Sequence, residues 1–138
     1  MIRLTEEIRT AIDGAFADGV PIAVAAVDAD GQPSITFRGT TQVLDEDRLV
    51  MWARNPQGGL VCSIAANPKI ALLYRNPATR TAYLFHGRAH VTDDPALVAQ
   101  IYDRSPEAER TRDPERLGVA ILVELDSVIQ RGEVLMER

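Results

Sequence analysis

The stretch with the clearest chemical content runs from Arg38 to Leu60. It reads Arg38-Gly39-Thr40-Thr41, then Trp52-Ala53-Arg54-Asn55 after a turn and a strand, then Pro56-Gln57-Gly58-Gly59-Leu60. A Gly-Gly pair ahead of a helix leaves backbone N–H groups bare at the helix start, where the aligned peptide dipoles favour an anion. Arg38 and Arg54 end two successive strands. If those strands are neighbours, two guanidinium groups flank one anion, and arginine's planar fork suits phosphate or carboxylate. A plain strand–loop–helix with two surface arginines accounts for the same residues equally well. Trp52 and the amides of Ala53 could wall a planar ring; the alternative is an indole in the core or at an interface.

The other reactive side chains say less. His86 and His90 are four apart on a strand, which places them on one face but two repeats apart, not at a helical ligand spacing. No carboxylate stands in register with them, so they read as structural or surface histidines and no metal site is expected. Cys62 is the only cysteine, so no intrachain disulfide forms and no thiol partner is available. There is no Gly-x-Gly-x-x-Gly, no Walker-type loop and no recognisable catalytic triad.

The elements that must hold these residues follow from periodicity. Leu4, Ile8, Ile12 and Phe16 recur every four residues, with Thr5 as cap and Glu6 and Glu7 in the first turn, which predicts an amphipathic helix. Val20–Val27, a turn at Asp28-Ala29-Asp30-Gly31, and Ser34–Thr41 predict a hairpin. Arg48–Arg54 predicts a third strand, with Leu49, Met51 and Ala53 on one side and Val50 and Trp52 on the other. A short helix over Leu60–Ala66 ends at Asn67-Pro68. Lys69–Arg75 and Thr81–Val91 predict two more strands, and Gly87 inside the second signals a bulge. Asp94-Pro95 opens a helix whose apolar face is Leu97, Val98, Ile101 and Tyr102. Arg104–Arg116 reads as a surface loop or partly helical excursion. Leu117–Leu125 and Ser127–Met136 read as two final strands. So many short apolar strands favour closure of an antiparallel sheet, which removes exposed edges.

A chain of 138 residues suits one domain, residues 1–138, and is long enough for a core without staples. The net charge of -5 argues against non-specific nucleic-acid binding. The first residues carry acids and no apolar run, unlike a signal peptide, and no segment approaches the ~20 apolar residues of a membrane helix. A cytoplasmic protein with no nucleic-acid or membrane partner is expected.

Four segments, taken in order, carry a family resemblance. They are Gly31-Gln32-Pro33-Ser34-Ile35, Arg48-Leu49-Val50-Met51-Trp52-Ala53-Arg54, Ala66-Asn67-Pro68-Lys69-Ile70-Ala71-Leu72-Leu73, and Phe85-His86-Gly87-Arg88-Ala89-His90-Val91 before an Asp-Asp-Pro helix start. From about Val20 to about Tyr102 the chain resembles the pyridoxamine 5′-phosphate oxidase-like FMN-binding split-barrel superfamily. The resemblance implies a mainly β protein with flanking helices: a split β-barrel, antiparallel and Greek-key-like, homodimeric, with flavin mononucleotide (FMN) in a cleft between subunits. It implies an oxidoreductase acting on a small molecule. The implied cofactor-binding residues are Arg38, Gly39 and Thr40 against the ring, Trp52, Ala53 and Arg54 at the next strand end, and Asn55, Gln57, Gly58, Gly59 and Leu60 at the phosphate. Many members carry Ser-Arg-Lys where this chain has Gly58-Gly59-Leu60, so the phosphate grip rests on Arg38, Arg54, Gln57 and loop amides. The pyridoxal-phosphate residues of the true oxidase are not recognisable, and that activity is not expected. Alternatives within the resemblance are the deazaflavin F420, with Arg75, Arg80 and Arg88 for its acidic tail, a non-enzymatic flavin or haem module with His86 or His90 as axial ligand, and a dimer with an empty cleft.

Overall fold

The computed structural model describes residues 1–138. Helix α1 (Glu6–Gly14) begins at Thr5, whose Oγ1 accepts from the Ile8 amide at 3.2 Å. Leu4, Ile8 and Ile12 are buried, as their spacing requires. Phe16 departs from that stripe. It lies past the helix end, is 37% exposed, and sets its ring against Gly39, where an added Cβ would stand 2.7 Å away.

Eight strands follow: β1 (Ile22–Val27), β2 (Pro33–Arg38), β3 (Gln42–Val43), β4 (Arg48–Ala53), β5 (Lys69–Asn76), β6 (Thr81–Thr92), β7 (Val119–Gln130) and β8 (Glu133–Glu137). Three helices join them: α2 (Gly59–Ala66), α3 (Pro95–Arg104) and the single turn α4 (Glu107–Arg110). All strand pairs are antiparallel, in the order β2-β1-β5-β6-β7-β4-β3, with β8 added to β7. The sheet curls into a half-barrel. Its hydrogen-bonded path has two ends, so edge removal by full closure does not describe it. The reason is local: β2 stops at Arg38, three residues sooner than the alternation suggested, because a turn closed by Thr41 N–H to Arg38 C=O at 3.2 Å diverts the chain. β3 has only two residues and no ladder to β2. β2 is therefore an exposed edge strand.

The core has two parts. The larger fills the concave face and takes in α1, α2 and Leu49, Met51 and Ala53 of β4. The smaller lies under α3 and holds Val50, Trp52, Ile101, Tyr102, Ala120 and Leu122. The two-sided alternation read in β4 is thus two-sided burial. Gly87 sits at a register shift between β6 and β7, as its place inside a strand signalled. A Cβ there would come 2.5 Å from the Glu124 carbonyl.

The C-terminal strands differ from the sequence expectation. One twelve-residue strand runs through Asp126, because Arg88 on neighbouring β6 binds that carboxylate at 3.1 Å. The turn falls instead at Arg131-Gly132, both with positive φ (51° and 80°), which suits a tight hairpin. No helix is long and apolar enough to cross a membrane.

Candidate functional site

β2 and β4 are not ladder neighbours, contrary to the simplest reading of Arg38 and Arg54. The curl brings their ends together through Thr40. Its buried hydroxyl accepts from the Trp52 amide at 2.9 Å and donates to the Trp52 carbonyl at 3.0 Å. Side chain thus replaces ladder, and the two arginines come to one place. They line a polar depression of about 100 Å³ together with Gly39, Thr40, Glu109 and Arg112. Three arginines meet one glutamate there. None of the three forms an ion pair; Arg38 Nε donates only to Thr36 Oγ1, at 3.0 Å. Burial, and then the charge of Arg54, push the Arg38 guanidinium below its ordinary value. Three arginines against one glutamate, none of them in a direct ion pair, leave an excess of positive charge that an anion relieves.

Arg38 also lines a larger cleft of about 490 Å³ between the β1–β2 hairpin and the start of α2. Val24, Thr36 and Arg38 form one wall and Gly59, Leu60 and Ser63 the other. Asn55 shapes the approach: its Oδ1 accepts from the Gln57 amide and its carbonyl from the Gly58 amide, both at 3.0 Å. Gly58 caps α2 in an extended conformation with no side-chain cap, so the amides of the first turn have no side-chain acceptor. A Cβ on Gly58 would crowd the Asn55 carbonyl at 3.2 Å, whereas Gly59 faces open space. The Leu60 side chain is in the core. The Gly-Gly pair thus brings a bare helix start to a cleft that Arg38 shares.

The Trp52 indole is a core aromatic. It packs edge-on to Tyr102 at 5.2 Å between ring centres, and its Nε1 donates to Asp113 Oδ2 at 2.9 Å. Ala53 is also buried, and its carbonyl leaves no room for a side chain on Gly118, where a Cβ would stand 2.3 Å away. Asp113, Gly118, Glu109 and Arg112 were not visible as site residues; they come from or border the segment read as a surface excursion. Asp113 is buried and accepts from Trp52 Nε1, Leu117 N and Gly118 N, each at 2.9 Å. Burial alone would raise its pKa. The three hydrogen bonds and the Arg54 charge outweigh it and hold the carboxyl below the ordinary range. The sequence pattern predicts a strand from Leu117 that takes in Gly118, whereas β7 begins at Val119.

Other candidates lie elsewhere. His86 and His90 are exposed. Arg88 is not free for a ligand's tail, because it bonds Asp126 and Glu124 at 3.1 and 3.2 Å.

A curled antiparallel half-barrel with a cleft at a helix start is the split-barrel class. The family model described as pyridoxamine 5′-phosphate oxidase matches residues 4–125, and the chain belongs to that family. No curated protein matches it. Among solved structures, HupZ from Group A Streptococcus is similar with a TM-score of 0.70 at 20% identity, over 95% of this chain and 96% of that one. An F420 reductase follows at 0.68 and 20%, over 91% and 98%. An FMN-binding protein from Syntrophomonas wolfei has a TM-score of 0.66 at 8% identity, over 91% and 86%. At these identities the structural likeness establishes the fold.

Proposed function

We propose that this chain binds FMN and is an oxidoreductase acting on a small molecule, related to pyridoxamine 5′-phosphate oxidase without sharing its substrate. The observation that carries the reading is the unpaired Arg38–Arg54 couple beside the bare start of α2. A phosphate monoester brings about two negative charges to a place where three arginines outnumber one glutamate. Arg38, Arg54, Gln57 and the amides of Gly59 and Leu60 would hold the phosphate. Gly39 and Thr40 would border the ring, and Trp52 and Ala53 would fix the strand end from which Arg54 projects. When bound, the flavin supplies hydride and electron transfer, and the protein's part is to hold and orient it and admit a substrate.

A second copy completes the site in this reading. Phe37, Ala23 and Leu73 lie in one row across β2, β1 and β5, and Ile35, Ala25 and Ala71 in the next. Ile35 and Phe37 are 71% and 72% exposed. This apolar stripe is continuous with the arginine depression through Phe37, so a homodimer covering it closes the open side of the cleft. F420 is the second cofactor reading, supported by the F420 reductase among the structural relatives.

The test is the visible spectrum of the purified protein, followed by titration with FMN and with F420. A yellow protein, or quenching of FMN fluorescence that Arg38→Ala/Arg54→Ala weakens at least about tenfold, is expected. Stronger binding of F420 would select the second cofactor. A colourless protein that ignores both sinks the reading.

A further inference from the structure

Three residues other than glycine have positive φ, and all three are arginines: Arg80 (54°), Arg116 (55°) and Arg131 (51°). Such a backbone favours glycine or asparagine, so an arginine there needs a reason. Arg116 has one. It pairs with Asp103 at 3.1 Å and stacks its guanidinium 4.4 Å from the centre of the Tyr102 ring. Arg80 and Arg131 have no such contact, and neither forms an ion pair or a side-chain hydrogen bond. They come from different hairpin turns, β5–β6 and β7–β8, yet they line one depression of about 260 Å³ together with Arg75. No acidic side chain lines it, in a chain with 20 acids against 15 bases. Three unpaired guanidinium groups converge where acids are in excess overall, and two of them occupy backbone positions that disfavour their type.

We infer that Arg75, Arg80 and Arg131 form a second anion site, separate from the Arg38–Arg54 depression, which takes a small molecule carrying two or more phosphate or carboxylate groups. Guanidinium forks bind both groups in bidentate fashion, and three around one depression match a ligand of more than one charge. The site shares Arg75 and Pro77 with a neighbouring groove whose walls include Val20, Phe37 and Leu73. It therefore lies at the edge of the apolar stripe. Arg75 and Arg80 are two of the residues that the F420 reading gives to that cofactor's acidic tail, and Arg131 joins them here; titration of cofactor-free protein reads the site itself.

Calorimetric titration at low salt with pyrophosphate, and separately with citrate, tests it. The key variant is Arg80→Gly/Arg131→Gly, because glycine adopts the left-handed backbone of both turns without a Cβ penalty and removes the charges. Its melting temperature is expected to equal or exceed that of the unmodified chain. Arg38→Ala/Arg54→Ala silences the other depression, and in that background one anion site is expected to remain. Adding the two glycine substitutions should weaken it at least about tenfold. The preferred titrant distinguishes a phosphate ligand from a carboxylate one. Arg9→Ala/Arg104→Ala removes the same charge elsewhere and should leave binding within about twofold. The inference is overturned if neither anion binds in the Arg38→Ala/Arg54→Ala background, or if the glycine pair and the charge-matched control weaken binding equally.

Discussion

Replacing Asp113 by asparagine isolates what the missed segment does for the site. The carboxylate is 7% exposed and accepts three hydrogen bonds. Oδ2 takes two of them, from Trp52 Nε1 and Gly118 N, and Oδ1 takes one, from Leu117 N. An amide nitrogen cannot accept, so Asp113→Asn orphans at least one buried donor and, in the other orientation, two. Hydrogen bonds to a charged acceptor contribute about 1.5–3 kcal/mol each, so the loss is about 3 kcal/mol. For a domain of this size that is a fall in Tm of about 10 °C. Trp52, the only tryptophan, reports the melt directly through its fluorescence. The pH dependence adds a second check. The folded carboxyl titrates below its ordinary value. Its contribution is therefore complete above the unfolded value of about 4, and is lost as pH falls through the lower folded value. The gap between the two proteins should be widest at neutral pH and narrow in acid. A variant that melts within about 2 °C of the parent at pH 7, or a gap unchanged down to pH 2, would refute the reasoning.

Thr40→Val should cost about 2–3 kcal/mol, since it leaves the Trp52 amide unpaired in a buried setting, and should also weaken anion binding at Arg38 and Arg54. Chemical denaturation and phosphate titration on the same protein measure both effects. Gly87→Ala drives a Cβ to 2.5 Å from the Glu124 carbonyl and should destabilise by about 2–4 kcal/mol, seen as a lower denaturant midpoint. Phe37→Lys places a charge on the apolar stripe. Sedimentation should find the parent as a dimer at micromolar concentration and this variant as a folded monomer whose Tm, lower than the parent's, no longer depends on protein concentration; a monomeric parent would refute the shared cleft.

Much of the architecture is legible in the sequence because its causes are local. The Thr5 and Asp94 caps, the α2 stop at Asn67-Pro68, the β1–β2 turn at Gly31 and the bulge at Gly87 each depend on a residue's own backbone preference or its near neighbours. The alternation in Arg48–Ala53 likewise marked a strand with two apolar faces, which the fold buries under different layers. Local signals failed where a distant partner overrides them. Asp126 looked like a strand break, but Arg88, thirty-eight positions earlier, neutralises it within β7.

The arginine pair shows the division most clearly. The residue types of Arg38 and Arg54, and the glycines ahead of α2, were enough to raise an anion site, because guanidinium groups and bare helix amides carry that chemistry wherever they stand. That the two arginines meet was decided by tertiary structure alone. β2 and β4 share no ladder, and only the curl of the sheet, tied by Thr40 to Trp52, brings their ends together. Asp113 is the counterpart. A carboxylate in a charged, proline-bearing segment carries no local mark of burial, and it becomes structural only because Trp52 Nε1, sixty-one positions away, needs an acceptor. Residue type sets what a side chain can bind; the closure of long loops sets which partners it meets.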